Sequence, residues 1–295
     1  MKGLELAKKY YEACGRPMIE KQFPEIADQT AAGLVGYGSE CLGFDDEISR
    51  DHDYGPSFCI WLPREVYARY GEIVQAAYNA LPKEFMGYGA RIEQEQGKGR
   101  VGALCLEAFY REILGRDTLP VTEAEWLMIP EEALATATSG SVFEDRLGAF
   151  SAFREGLLCY YPERVWRRKL ADALAKAAQA GQYNFARAMR RGERVTAELA
   201  LGEFVRESMH MVYLLNRTYA PFYKWMHRGL RELAVGGEIG DMAALLWQTD
   251  SEADRLLIIE AVCNVLVQIL QEQGLSAEQD NFLQSHVEEV LKGIT

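Results

Sequence analysis

Residues 31–62 read AAGLVGYGSECLGFDDEISRDHDYGPSFCIWL, and the fold turns on how this stretch divides. It opens with a short apolar run, 31–37, that reads as a buried strand ending in Gly38-Ser39. It closes with 53–62, DYGPSFCIWL, which reads as the partner strand. Pro56 inside that run hints at an edge or a bulge, because proline cannot donate to a sheet ladder. Between the two lie the eleven residues from Glu40 to Arg50, rich in acid, and then Asp51-His52-Asp53. Pro63 is placed to open a helix, with Val66, Tyr67, Tyr70, Ile73, Val74 and Ala77 at helical spacing. Strand, polar loop, strand and helix in this order predict helices packed on a sheet.

The flanks agree. Residues 3–14 and about 18–29 read as helices, 101–106 as a strand running into a helix through Leu114, and 141–144 as a short strand after Ser139-Gly140. Past residue 155 the pattern is helical throughout, in segments near 162–195, 195–217, 221–236, 252–273 and 276–292, with turns at Gly236-Gly237 and Gly274. Successive amphipathic helices with short connections pack antiparallel. The fold class expected is α+β: a mixed sheet with flanking helices over 1–155, then an all-α helical domain over 156–295.

A composition of 48% hydrophobic and 26% charged residues over 295 positions is that of a globular chain. A net charge of -12 opposes a general affinity for nucleic acid, since a polyanion meets a repulsive average field. Six cysteines without a CxxC pair read as reduced thiols rather than a disulfide framework. The first residues lack the apolar core of a signal peptide, and the longest apolar run, 256–270, is broken by Glu260 and Asn264. A cytoplasmic protein without a membrane span is expected.

The chemistry concentrates in 36–56. Gly38 lets the backbone approach a phosphate closely, and the Ser39 hydroxyl can bond the same anion. On a strand, Asp51 and Asp53 project from one face and His52 from the other. Paired carboxylates suit Mg²⁺, which in turn binds a nucleoside triphosphate. Asp45, Asp46 and Glu47 read as a solvated loop or a lid. Gly97-Lys98-Gly99-Arg100 reads as a flexible basic loop and only a weak phosphate signal. No P-loop, GxGxxG, HExxH or GxSxG motif is present.

Gly38-Ser39, the spacer and Asp51-X-Asp53 resemble the signature of the nucleotidyltransferase superfamily that includes DNA polymerase beta, kanamycin nucleotidyltransferase and the minimal nucleotidyltransferases. His52 departs from that pattern, which has an apolar residue there. The blocks LGFDDEISRDHDYGP, VFEDRLGAF and NRTYAPFYKW further resemble an uncharacterised bacterial family that joins such a domain to a helical one. The resemblance covers most of residues 30–230. It implies a polymerase-beta-like fold and a nucleoside triphosphate substrate held with Mg²⁺ or Mn²⁺. It also implies transfer of a nucleoside monophosphate to a hydroxyl-bearing acceptor, either a small molecule or a protein. Net acidity weighs against nucleic acid, although a tRNA end stays among the candidate acceptors.

A third carboxylate usually completes such a site. Asp145, at the end of SVFED, is the preferred third catalytic and metal-binding residue, against its reading as a helix N-cap before LGAFSAFR. Glu107 is the alternative, against a first-turn helix residue. In related transferases a Lys or Tyr from the helical domain reaches the phosphates, which nominates Tyr223 and Lys224 here. Arg187, which shares a helical face with Asn184 and Arg191, joins them as a nucleotide-binding residue, against a solvated basic face. His210, His227 and His286 have no metal-ligand spacing. The rival function is a catalytically degenerate protein that binds or senses nucleotide, or neutralises a partner as an antitoxin does.

Overall fold

The computed structural model describes residues 1–51, 54–91 and 99–293, and only the backbone of Asp51. The chain forms two compact units: Met1–Val121 with Met128–Cys159, and Thr122–Leu127 with Tyr160–Thr295. The second thus includes a short segment that a division at residue 155 assigned to the first.

In the first unit, α1 (Gly3–Tyr10) continues through a π-helical turn at Tyr11–Gly15 into α2 (Arg16–Gln22). A break was expected between residues 14 and 18, yet the helix runs on. The wide turn leads into Pro17 in the first turn of α2, where a missing N–H costs nothing, and Gly15 sits where a Cβ would come within 2.3 Å of the Phe58 ring. After a 3-10 turn come β1 (Ala31–Leu34), β2 (Cys59–Leu62), α3 (Arg64–Asn79), β3 (Gly102–Cys105) and α4 (Leu106–Leu114). α5 (Glu123–Met128) falls, but for Met128, in the second unit; α6 (Glu131–Thr138) then precedes β4 (Ser141–Asp145) and α7 (Ala149–Leu158) of the first.

The strands form a mixed sheet in the order β3-β2-β1-β4, with β1 antiparallel to both neighbours and β2 parallel to β3. The α+β class expected from the sequence is therefore the one observed. The first two strands are shorter than their apolar runs. β1 stops at Leu34 because Gly36 and Gly38 take φ of +120° and +115°, where the chain leaves extended geometry. β2 starts only at Cys59, leaving Pro56 outside the ladder.

Alternation along the strands buries both faces. Ala32, Ile60, Leu62 and Ala103 pack with Tyr10, Ile19, Phe58 and Val74 on one side. On the other, Trp61 stacks on Phe150 at 3.9 Å and meets the edge of Phe109 at 5.4 Å. Full burial of such side chains contributes about 1.5–3 kcal/mol each.

Register sets the polarity of the sheet. Leu34 pairs with Ser141 and Gly33 with Cys59, while Cys59 pairs with Gly102. The end of β1 and the starts of β2, β3 and β4 therefore share one edge. Ala31 pairs with Trp61 and Asp145, and Leu62 with Cys105, so the start of β1 and the ends of the other strands share the opposite edge.

The second unit is helical. α8 (Glu163–Ala177) passes through a π-helical stretch, Ala178–Phe185, into α9 (Ala186–Arg190). The long α10 (Arg194–Leu215) follows, then α11 (Tyr223–Gly229), α12 (Glu238–Gln248), α13 (Glu252–Glu272) and α14 (Val287–Lys292). The π-helical stretch lies against α10, where a Cβ on Gly181 would meet the Phe204 ring at 2.3 Å. Thr122–Leu127 joins this unit through Glu123, which pairs with Arg164 at 2.8 Å and Arg168 at 3.1 Å. Among the described residues no helix is long and apolar enough to cross a membrane.

Candidate functional site

The edge where β1 ends carries the Gly38-Ser39 loop. With glycine conformations at 36 and 38, the chain turns over residues 39–43, closed by the Phe44 amide donating to the Ser39 carbonyl at 2.8 Å. Among the described residues, the amides of Tyr37, Gly38 and Ser39 and the Ser39 hydroxyl have no hydrogen-bond partner, and these residues are partly or fully exposed. These amides are left to solvent or to a ligand.

Below this loop lies a buried ion pair. Arg91 Nη1 donates to Glu40 Oε1 at 2.7 Å, with side chains 7% and 3% exposed, and also to Ser57 Oγ at 3.0 Å. Gly55, at φ +142°, brings its backbone so close to Arg91 that a Cβ would lie 2.8 Å from its main-chain atoms. Arg91 thus fastens the loop after β1 to the segment before β2. Breaking a buried pair of this sort costs about 3–5 kcal/mol, because one charge is left unpaired.

The approach to Asp51 is also anchored. Asp45, expected in a solvated loop, is buried: its Oδ2 accepts the Gly3 amide at 2.9 Å. The acid belongs there because it meets the Gly3 amide that opens α1, where the helix dipole favours negative charge, and Lys2 Nζ stands 3.5 Å from its other oxygen. Asp46 accepts the amides of Ile48 and Ser49 at 3.1 and 3.0 Å and so starts the 3-10 turn Ile48–Asp51. Next along the described chain, the Tyr54 hydroxyl donates to the Met1 carbonyl at 2.9 Å. The side chain of Asp51 and the whole of His52 and Asp53, with Gly97 and Lys98 of the basic loop, lie outside the described residues.

The third-carboxylate candidates stand elsewhere. Asp145 pairs with Ala31 at the opposite edge of the sheet, on the order of 10 Å along the strands from the end of β1. Its carboxylate accepts the Gly148 amide at 2.9 Å and the Ser151 amide at 2.7 Å, capping α7. Glu107 sits in the first turn of α4, beside the end of β3 at that same edge, and accepts the Cys105 thiol at 3.3 Å. Gly38, Ser39 and the backbone of Asp51 all belong to the connection between β1 and β2, while Asp145 and Glu107 stand at the edge of the sheet opposite the end of β1. Among the described residues no three His, Cys, Asp or Glu side chains are grouped to hold a metal ion.

Glu40 and Arg91, buried beneath the loop, carry no local signal in the sequence; only the position of Glu40 directly after Gly38-Ser39 could have drawn notice. Cys41 and Cys59 lie nearby, and burial pushes both thiols up, Cys59 to about 12, so both are protonated near neutrality.

The remaining nominated residues belong to the second unit. Arg187 is exposed, donates to the Tyr183 hydroxyl at 2.6 Å, and lines an open groove with Lys176, Asn184 and Arg191. Tyr223 is 68% exposed at the start of α11, and Lys224 lies over the Trp225 ring at 5.2 Å; neither lines that groove.

No curated protein and no solved structure matches the chain. Residues 126–226, a stretch that holds Asp145, Arg187, Tyr223 and Lys224 but not the Gly38-Ser39 loop, match a family described as a domain of unknown function, DUF4037.

Proposed function

We propose that the chain is a metal-dependent nucleotidyltransferase whose Tyr37–Ser39 amides and Ser39 hydroxyl hold the phosphates of a nucleoside triphosphate. The observation that carries this reading is the run of three unpaired amides, Tyr37 to Ser39, in the same connection between β1 and β2 that in the sequence holds Asp51 and Asp53. The donor set suits Mg²⁺ or Mn²⁺, because Mg²⁺ is commonly held by one or two carboxylates together with substrate phosphates rather than by a protein cage. Asp51 and Asp53 would supply those carboxylates. When bound, the metal offsets charge on the phosphates and polarises the reacting phosphorus. An acceptor hydroxyl oxygen attacks the α-phosphorus, the α–β P–O bond breaks, pyrophosphate leaves, and the hydroxyl proton passes to a base. The acceptor is a small molecule or a protein side chain.

A second reading, binding without transfer, is favoured by one observation: Asp145 and Glu107 both sit at the far edge, so neither is at hand as the base. Incubation with α-labelled ATP, GTP, CTP and UTP plus Mg²⁺ and cell extract separates the two. A labelled product supports transfer. Mg²⁺-dependent NTP binding by calorimetry without any product supports binding alone. Binding that persists unchanged in the Asp51→Asn, Asp53→Asn double variant defeats both.

A further inference from the structure

Beside the same loop the first unit holds a cavity of about 180 Å³. Its walls include Tyr37, Arg100, Phe109 and Glu112, with Gly36 between the two aromatic residues. The Phe109 wall is rigid, wedged between Trp61 at 5.4 Å, Tyr110 at 5.3 Å and Phe150 at 5.7 Å. The Tyr37 ring is 43% exposed and carries the Arg100 guanidinium 4.8 Å above its face. Gly36 also lines the cavity, its Cα side facing Phe109 closely enough that a Cβ there would lie 3.7 Å from that ring.

The volume is informative. A cavity of roughly 150 Å³ accommodates a benzene ring, so 180 Å³ admits one planar ring system and not a whole nucleotide. Aromatic walls suit a π-face, while a guanidinium that only donates and a carboxylate that only accepts suit a ring with polar edges of both kinds. Tyr37 belongs to both features: its amide is one of the three unpaired donors and its ring is a wall of the cavity. We infer that this cavity takes the planar heteroaromatic base of the nucleotide whose phosphates occupy the Tyr37–Ser39 amides, an assignment that rests on the phosphate reading above. The Arg100 and Glu112 edge groups then read the polar rim of the base, which gives preference among bases.

Tyr37→Ala tests this cleanly, because it removes the ring and keeps the amide at an exposed position. Calorimetry in Mg²⁺ compares inorganic tripolyphosphate with ATP, GTP, CTP and UTP on the wild-type chain, Tyr37→Ala and Glu112→Ala. The expected result is that at least one NTP binds more tightly than tripolyphosphate. Tyr37→Ala should lower that NTP affinity roughly tenfold, with tripolyphosphate affinity unchanged within about twofold. Glu112→Ala should reduce the spread among the four bases. If wild-type protein binds tripolyphosphate but no NTP more tightly, or if Tyr37→Ala affects both ligands equally or neither, the base assignment is overturned while the phosphate reading stands. If tripolyphosphate does not bind at all, the phosphate reading falls and the base assignment falls with it.

Discussion

At the edge of the sheet where β1 ends, the amides of Tyr37, Gly38 and Ser39 have no acceptor among the described residues, whereas where β4 ends Asp145 takes two amides at once. Glu144, its neighbour, accepts the Tyr11 hydroxyl at 2.7 Å and Arg16 Nε at 2.8 Å. The far edge is thus a closed set of donors and acceptors that fastens α1–α2 and α7 to the sheet. The near edge is closed underneath, by Glu40 and Arg91, and open on top. Unpaired backbone donors cost stability when desolvated, so a fold retains them where solvent or a ligand completes them. An acidic residue at the end of a strand therefore says little about chemistry until its donors are counted.

The largest effect should come from damaging the near edge at its tightest point. Gly140 has φ +65°, and a Cβ on it would lie 1.9 Å from the Leu34 carbonyl oxygen. Overpacking and left-handed strain together put the cost of Gly140→Ala at about 3–5 kcal/mol. Gly115→Ala is the control: φ is +74° but nothing lies within 4 Å, so only the conformational cost of about 1–2 kcal/mol remains. Denaturant unfolding measures both, and equal losses in the two variants would show that the β1–β4 junction is not close-packed.

Next is the far edge. Burial raises the Glu144 carboxyl, but hydrogen bonds from Tyr11, Arg146 and Arg16 outweigh it and hold the group below its ordinary value of 4.5. A depressed carboxylate contributes stability that is present above its unfolded value and is lost as pH falls through the folded one. Unfolding free energy should therefore decline below about pH 4.5 more steeply in the wild type than in Glu144→Gln. At neutral pH that variant should lose about 1.5–3 kcal/mol, the range for hydrogen bonds to a charged group. Asp145→Ala should cost less, about 1–2 kcal/mol for a lost N-cap, and leave tripolyphosphate binding as in the wild type. Lost binding at wild-type-like stability would return Asp145 to the site.

These contrasts also mark how far the sequence could be read. The strands were legible as apolar runs, and Asp145 was legible as one of two things, cap or ligand. Choosing between them needs the pairing of Ala31 with Asp145 across more than a hundred residues, and no local pattern carries that register. Neither a solvated loop nor a lid describes Asp45, for a similar reason: its burial depends on α1 presenting the Gly3 amide to it. Glu40 was hidden because its partner, Arg91, lies 51 residues away. Gly36 and Gly38 were the reverse case. A glycine at the end of an apolar run is a local fact with a local consequence, and the loop they shape is where the sequence placed it.

The smallest stability effect should fall on the residue with the most to say about function. Ser39 has no hydrogen-bond partner for its hydroxyl among the described residues and is only half-buried, so Ser39→Ala removes no intramolecular bond and should change unfolding free energy by no more than about 0.5 kcal/mol. If the hydroxyl bonds a phosphate oxygen, the same variant should weaken tripolyphosphate binding roughly tenfold, since a hydrogen bond to a charged group is worth about 1.5–3 kcal/mol where solvent is displaced. Asp145→Ala should do the opposite on both axes. Two variants at two edges of one sheet, one changing stability without binding and the other binding without stability, would divide the acidic and polar residues here into those that hold the fold and those that hold a ligand. Parallel losses in both would mean that the edges are not separate in function, whereas unchanged tripolyphosphate affinity in Ser39→Ala would mean that this hydroxyl is completed by solvent alone.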